Sequence, residues 1–136
     1  MALNFIVDGK TAHAANGSRK NSPDEPAVIL IHGAGLDRTI WQMQTRNIAF
    51  QGRRVYAVDL PGHGYSEGPV IENIEEMANW VIRFMDAAGV DRATIMGHSM
   101  GSLIALDLAS RYPERTERLI LTGVAESMPV HLDLLA

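Results

Sequence analysis

The chain has 136 residues, of which 46% are apolar and 21% charged, with a net charge of −4 at pH 7 and no cysteine. The length suits one domain, and the lack of a basic cluster argues against nucleic acid or an anionic membrane surface as a partner. Without cysteine, disulfides, thiolate catalysis and Cys-ligated zinc are excluded. The amino terminus, Met1-Ala2-Leu3-Asn4-Phe5, has no basic region leading into a long apolar run and does not read as a signal peptide. No apolar run approaches the roughly 20 residues of a membrane span. The expectation is a soluble, cytoplasmic protein with no membrane partner.

In chain order, Leu3, Phe5 and Val7 alternate with polar or smaller residues, Asp8-Gly9 follows, and a second alternating run begins at Lys10. Asp-Gly between alternating segments predicts a hairpin of strands 2–8 and 10–15. Residues 16–26 hold turn formers and charge and read as a loop. Ala27-Val28-Ile29-Leu30-Ile31 is a continuous apolar run, as expected of a strand buried on both faces of a parallel sheet. Residues 38–51, with Ile40, Trp41, Ile48 and Phe50, fit a helix stopped at Gly52, and 54–58 form another buried strand. Residues 59–69, with two prolines and several glycines, are a loop. The periodicity of Ile74, Met77, Val81, Phe84, Met85 and Ala88 predicts a helix over 73–88, with Asn73 and Glu76 as a capping box and Gly89 as its stop. Strand 92–96, helix 100–111 and strand 118–123 complete the series, and residues 125–136 fit no single pattern. Alternating strands and helices of this kind define parallel βαβ units, with helices on both faces of a mostly parallel sheet.

Three glycine-bearing segments sit where strands end. Gly97-His98-Ser99-Met100-Gly101 is a G-x-S-x-G between an apolar strand and an apolar helix. In that setting a tight turn lifts the serine hydroxyl above the sheet and points the Met100 N–H, at a helix amino terminus, toward developing negative charge. His32-Gly33-Ala34-Gly35 follows the 27–31 strand and suits a loop that offers a second N–H, that of Ala34. A dinucleotide fingerprint is the rival reading there, weakened by Arg38 at the third glycine position. Asp59 to Ser66, Asp-Leu-Pro-Gly-His-Gly-Tyr-Ser, ends the 54–58 strand; its role reads as structural, with Asp59 accepting backbone N–H bonds to hold the loop.

Together these segments resemble the α/β-hydrolase fold: His32-Gly33 after one strand, Asp59-x-Pro61-Gly62-x-Gly64-x-Ser66 after the next, and Gly97-x-Ser99-x-Gly101 after the third. The likeness runs from the hairpin to Gly123 and corresponds to the amino-terminal half of that fold, with residues 1–124 as core and 125–136 as the start of a lid or connecting segment. It implies Ser99 as nucleophile, the Ala34 and Met100 N–H groups as the oxyanion hole, a small-molecule carbonyl substrate and no cofactor. A serine at this place disfavours the members that use aspartate, the haloalkane dehalogenases and epoxide hydrolases. Esterases, lactonases and carbon–carbon bond hydrolases remain among the readings, beside a non-catalytic receptor or scaffold of the same fold.

Other patterns carry less. Gly9-Lys10-Thr11 mimics the end of a phosphate loop without its leading glycine or preceding strand. The five histidines (13, 32, 63, 98 and 131) have no metal-ligand spacing, so no metal is expected. His98 alternates to the side opposite Ser99. In this fold the order is Ser, then Asp or Glu, then His. After Ser99, Glu126 and His131 are the candidates to complete a triad, against a plainer reading as loop residues. Strand 118–123 would also be an apolar open edge, which pairs with other chains or aggregates. The expectation is a fragment that needs a carboxy-terminal half, as a second chain or a missing segment, or that self-associates through strand 118–123.

Overall fold

The computed structural model describes residues 2–17 and 22–123. Six strands form one sheet in the order β1-β2-β4-β3-β5-β6. Strands β1 (Ala2–Val7) and β2 (Lys10–Ala15) make the hairpin, paired antiparallel in the register Val7↔Lys10, and the tight turn places both Asp8 and Gly9 at positive φ. β2 joins antiparallel to β4 (Arg54–Val58), while β4, β3 (Ala27–Ile31), β5 (Ala93–His98) and β6 (Thr116–Thr122) run parallel. The mostly parallel sheet expected from the βαβ pattern is present.

The apolar strands are continuous because both faces are covered. Ile29 and Ile31 of β3, with Tyr56 and Val58 of β4, pack under α2 (Ile74–Ala88) and α3 (Met100–Arg111). Val28 and Leu30, with Val55 and Ala57, face the side of α1 (Gln42–Phe50), where Trp41 and Ala49 close over them. Each such buried aliphatic side chain contributes about 1.5–3 kcal/mol relative to exposure. The methionine and aromatic positions of α2 are core: Met77, Trp80, Phe84 and Met85 are all buried.

Helix boundaries follow local chemistry. Asn73 Oδ1 accepts from the Glu76 N–H at 2.7 Å, half of the expected capping box; the Glu76 carboxylate turns instead toward the Asn79 amide at 3.4 Å. Gly89 closes α2 in the left-handed conformation. The 38–51 helix is divided: Asp37 caps a 3-10 turn over Arg38–Trp41, and α1 begins only at Gln42. Two strands are longer than periodicity indicated. Thr116 joins β6 through an irregular step opposite Ala93, and Gly97 and His98 extend β5 because they pair with Leu121 and Thr122. Ladder bonds to a neighbour thus recruit residues with little strand preference of their own.

The parallel strands finish on one edge. Ile31 is in register with both Val58 and Gly97, and His98 with Thr122, so the loops that begin at His32, Asp59 and Ser99 emerge side by side. β6 bounds the described sheet, with Ile120 42% exposed. Among the described residues no helix is long and apolar enough to cross a membrane. Glu126, His131 and the 125–136 segment lie outside the described residues.

Candidate active site

Ser99 is the single residue between β5 and α3. Its backbone is held at φ 56°, ψ −118°, and apart from the hairpin residue Asp8 it has the only positive φ outside glycine among the described residues. Such a conformation costs on the order of 1–3 kcal/mol for a residue with a side chain and persists only where its surroundings enforce it. The turn is so tight that its glycines admit no side chain. A Cβ on Gly97 would stand 2.1 Å from the Gly101 carbonyl oxygen, and one on Gly101 would stand 2.1 Å from that of Ile31. The chain therefore turns directly from strand to helix, with the serine at the apex.

The loop after β3 lies against this apex. A Cβ built on Gly33 would be 3.3 Å from Ser99 Cβ and 3.3 Å from the His98 carbonyl oxygen. Ala34, the next residue, is half-buried, and Met100, the first residue of α3, is buried. The first four N–H groups of a helix have no partner within it. The two residues expected to offer N–H groups thus lie on the segments that flank Ser99. Among the described residues Ser99 makes no side-chain capping bond.

The histidines near this edge are already engaged. His32 is fully buried: Nδ1 lies 2.7 Å from the Gly33 carbonyl and must donate to it, while Nε2 accepts from the Leu60 N–H at 3.1 Å. The ring is therefore the neutral Nδ1–H tautomer, and burial pushes its pKa below the ordinary value. Its role is to lash the β3 loop to the β4 loop. His98 is engaged by β6 and by Trp41: its Nδ1 lies 3.1 Å from Thr122 Oγ1, and its ring meets that of Trp41 edge-on. Neither ring has a nitrogen bonded to Ser99.

Asp59 performs the structural task expected of it and one more. It is fully buried and accepts from the Arg38 N–H at 2.8 Å and from the Tyr65 N–H at 3.0 Å. It also pairs with the Arg38 guanidinium at 2.8 Å. Arg38, the residue that breaks the dinucleotide fingerprint, is therefore the partner that ties the first loop to the second. Ser66 Oγ donates to the Asp59 carbonyl at 2.6 Å and accepts from the His13 N–H at 2.8 Å, fixing the same loop to the hairpin.

Two residues at the apex escape sequence reasoning. Ser102, one turn into α3, is fully buried, and its Oγ lies 2.8 Å from the carbonyl oxygens of both Gly97 and Thr122. Thr122, at the end of β6, lies beside it. The only available signal was a polar residue on the apolar face of the helix, which alone assigns no partner. Among the described residues no cluster of three or more His, Asp or Glu side chains could hold a metal.

The element order, the strained serine between β5 and α3 and the three adjoining loops define a class. The chain belongs to the alpha/beta hydrolase fold family, which matches residues 26–135. It is 40% identical over 125 residues to the 2-hydroxymuconate semialdehyde hydrolase of Pseudomonas putida, covering 85% of this chain and 44% of that protein. It is 35% identical over 133 residues to the 2-hydroxy-6-oxo-6-phenylhexa-2,4-dienoate hydrolase of Comamonas testosteroni, covering 87% and 46%. Among solved structures it is similar to a membrane phospholipase A described as a bacterial virulence factor. There the TM-score is 0.85 at 33% identity, covering 96% of this chain and 42% of that one. It is also similar to an epoxide hydrolase of Vigna radiata, with TM-score 0.80 at 26% identity, covering 91% and 38%. The chain thus spans less than half the length of each of these four relatives.

Proposed function

We propose that this chain carries the nucleophile half of a serine hydrolase that cleaves an ester, a lactone or a carbon–carbon bond next to a ketone. The observation that carries the reading is Ser99 itself, held at φ 56°, ψ −118° between a buried strand and a helix. A scaffold without catalytic work has no use for that strain; a nucleophile needs the hydroxyl raised clear of the sheet. The semialdehyde and dienoate hydrolases among the relatives support the carbon–carbon option, and the phospholipase the ester option.

In the proposed reaction a histidine takes the Ser99 hydroxyl proton as Oγ attacks the substrate carbonyl carbon. Charge gathers on the carbonyl oxygen, facing the N–H groups of Ala34 and Met100. Collapse of the tetrahedral intermediate breaks the bond to the leaving group, which departs with the proton, and leaves an acyl group on Oγ. Water, deprotonated by the same histidine, then frees the acid and restores Ser99. His32, His63 and His98 each bond elsewhere through Nδ1, and the proposal takes the base and its orienting carboxylate from outside the described residues, on the same chain or a second one. His131 and Glu126 are the candidates within the 136 residues.

A fluorophosphonate probe tests the assignment. In the full-length protein Ser99 takes the label, and Ser99→Ala abolishes both labelling and turnover of p-nitrophenyl acetate or 2-hydroxymuconate semialdehyde. Labelling that survives the substitution rejects Ser99.

A further inference from the structure

The strain at Ser99 raises a question: what holds it there? Its own peptide groups answer in part. The Ser99 N–H donates to the Thr122 carbonyl at 3.0 Å, and the Ser99 carbonyl accepts from the Ser102 N–H at 2.9 Å. The residue two positions before is held as well. The Gly97 carbonyl accepts from two hydroxyls, Ser102 Oγ at 2.8 Å and Thr122 Oγ1 at 3.1 Å. Ser102 and Thr122 are joined to each other: the Thr122 N–H donates to Ser102 Oγ at 3.2 Å, and that Oγ shares its hydrogen between the Gly97 and Thr122 carbonyls. With its own hydrogen given to Gly97, Thr122 Oγ1 accepts from Nδ1–H of His98.

These bonds join the turn to two residues, one on α3 and one at the tip of β6, and join those two to each other. A strained conformation survives only when it is over-determined in this way, and buried hydroxyl networks of full occupancy rigidify what they touch.

We propose that Ser102 and Thr122 are positioning residues for the nucleophile: a two-hydroxyl clamp that holds Ser99 in its strained conformation and couples it to the end of β6. The inference rests on the reading of Ser99 as nucleophile and adds two residues that act on its geometry. Ser102→Ala removes the bridge, and Thr122→Val removes one hydroxyl at nearly constant shape while keeping the backbone bonds. Thr122→Ser keeps the hydroxyl and serves as the rescue.

The experiment uses the full-length protein with p-nitrophenyl acetate, each variant normalised to its folded fraction, and adds amide hydrogen exchange at Ser99. A misplaced reacting group costs up to about 100-fold, so kcat falls by about 10- to 100-fold in Ser102→Ala and Thr122→Val. Ground-state binding does not pass through the clamp, so KM stays within about twofold. Thr122→Ser stays near wild type. The Ser99 N–H exchanges about tenfold faster in the first two variants, as its local opening becomes easier. A kcat per folded molecule that stays within about twofold of wild type in both variants overturns the clamp. If the wild-type protein is neither labelled nor active, the nucleophile reading has failed instead. Exchange then decides the clamp alone: unchanged protection at Ser99 overturns it, and faster exchange sustains it.

Discussion

In the proposed reaction Ser99 trades stability for chemistry. Its positive φ is a cost of about 1–3 kcal/mol that glycine would not bear. Ser99→Gly is therefore expected to raise the stability of the full-length protein by about 1 kcal/mol while removing the hydroxyl, read as a higher urea midpoint. A lower midpoint would mean that the side chain contributes more packing than its strain removes. His32 makes a second prediction at this scale. Burial, the largest cause, holds its pKa below the ordinary 6.5, and His13 is lowered in the same way. The unfolded chain therefore binds more protons than the fold below about pH 6.5, and stability rises with pH there. The contribution is complete above that value and is lost as pH falls toward the folded-state values. The upper part of that fall, between about pH 6.5 and 5, lies above the ordinary carboxylate range. Urea midpoints measured from about pH 7.5 down to about 5 should fall, and His32→Asn should flatten the slope.

At the scale of elements, the active edge is made by loops that brace one another rather than by any one loop. Arg38 leads the 3-10 turn after β3, and Asp59 directly follows β4; their pair joins positions 21 residues apart. Replacing the carboxylate by an amide leaves the Arg38 charge unpaired and sets an NH2 group where Oδ2 accepts from the Tyr65 N–H. Asp59→Asn is expected to destabilise the protein by about 3 kcal/mol, at the lower end for a buried pair because Arg38 retains some exposure. Thermal unfolding followed by circular dichroism checks it. A loss below about 0.5 kcal/mol would put the pair among ordinary surface bridges. The same elements explain the position of the serine. The Cβ contact at Gly101 that forbids any side chain is with β3, so the approach of α3 to that strand sets the height of the apex.

At the scale of the whole molecule, the sheet is covered on both faces over β3 and β4 and, among the described residues, ends at β6. There Ile120 is exposed, while Thr94 and Met96 beside it line a hollow with Ile48 and Arg118. Exposed strand edges pair with other chains unless charge or a bulge prevents it. The 136-residue chain alone is expected to self-associate, and Ile120→Lys to shift it toward monomer, as measured by size-exclusion chromatography with light scattering. An unchanged mass distribution would remove β6 as the contact.

The order of strands and helices, the hairpin turn, the three loops on one edge and the candidacy of Ser99 were all legible in the sequence. Each depends on residues within a few positions of one another: alternation in β1 and β2, continuous apolar runs in β3 and β4, the 3.6 period of α2, glycine spacing around Ser99. Periodicity placed the ends of β5 and β6 less well, because Gly97, His98 and Thr116 are strand only by virtue of their neighbours. What the tertiary structure alone decided are the bonds between distant segments. Leu60 fixes the tautomer of His32 across 28 positions, Arg38 meets Asp59 across 21, and Ser102 finds the Thr122 carbonyl across 20. A hydroxyl or an imidazole reveals its capacity to bond in the sequence but not its partner. The partner is chosen when parallel strands bring remote loops to one edge.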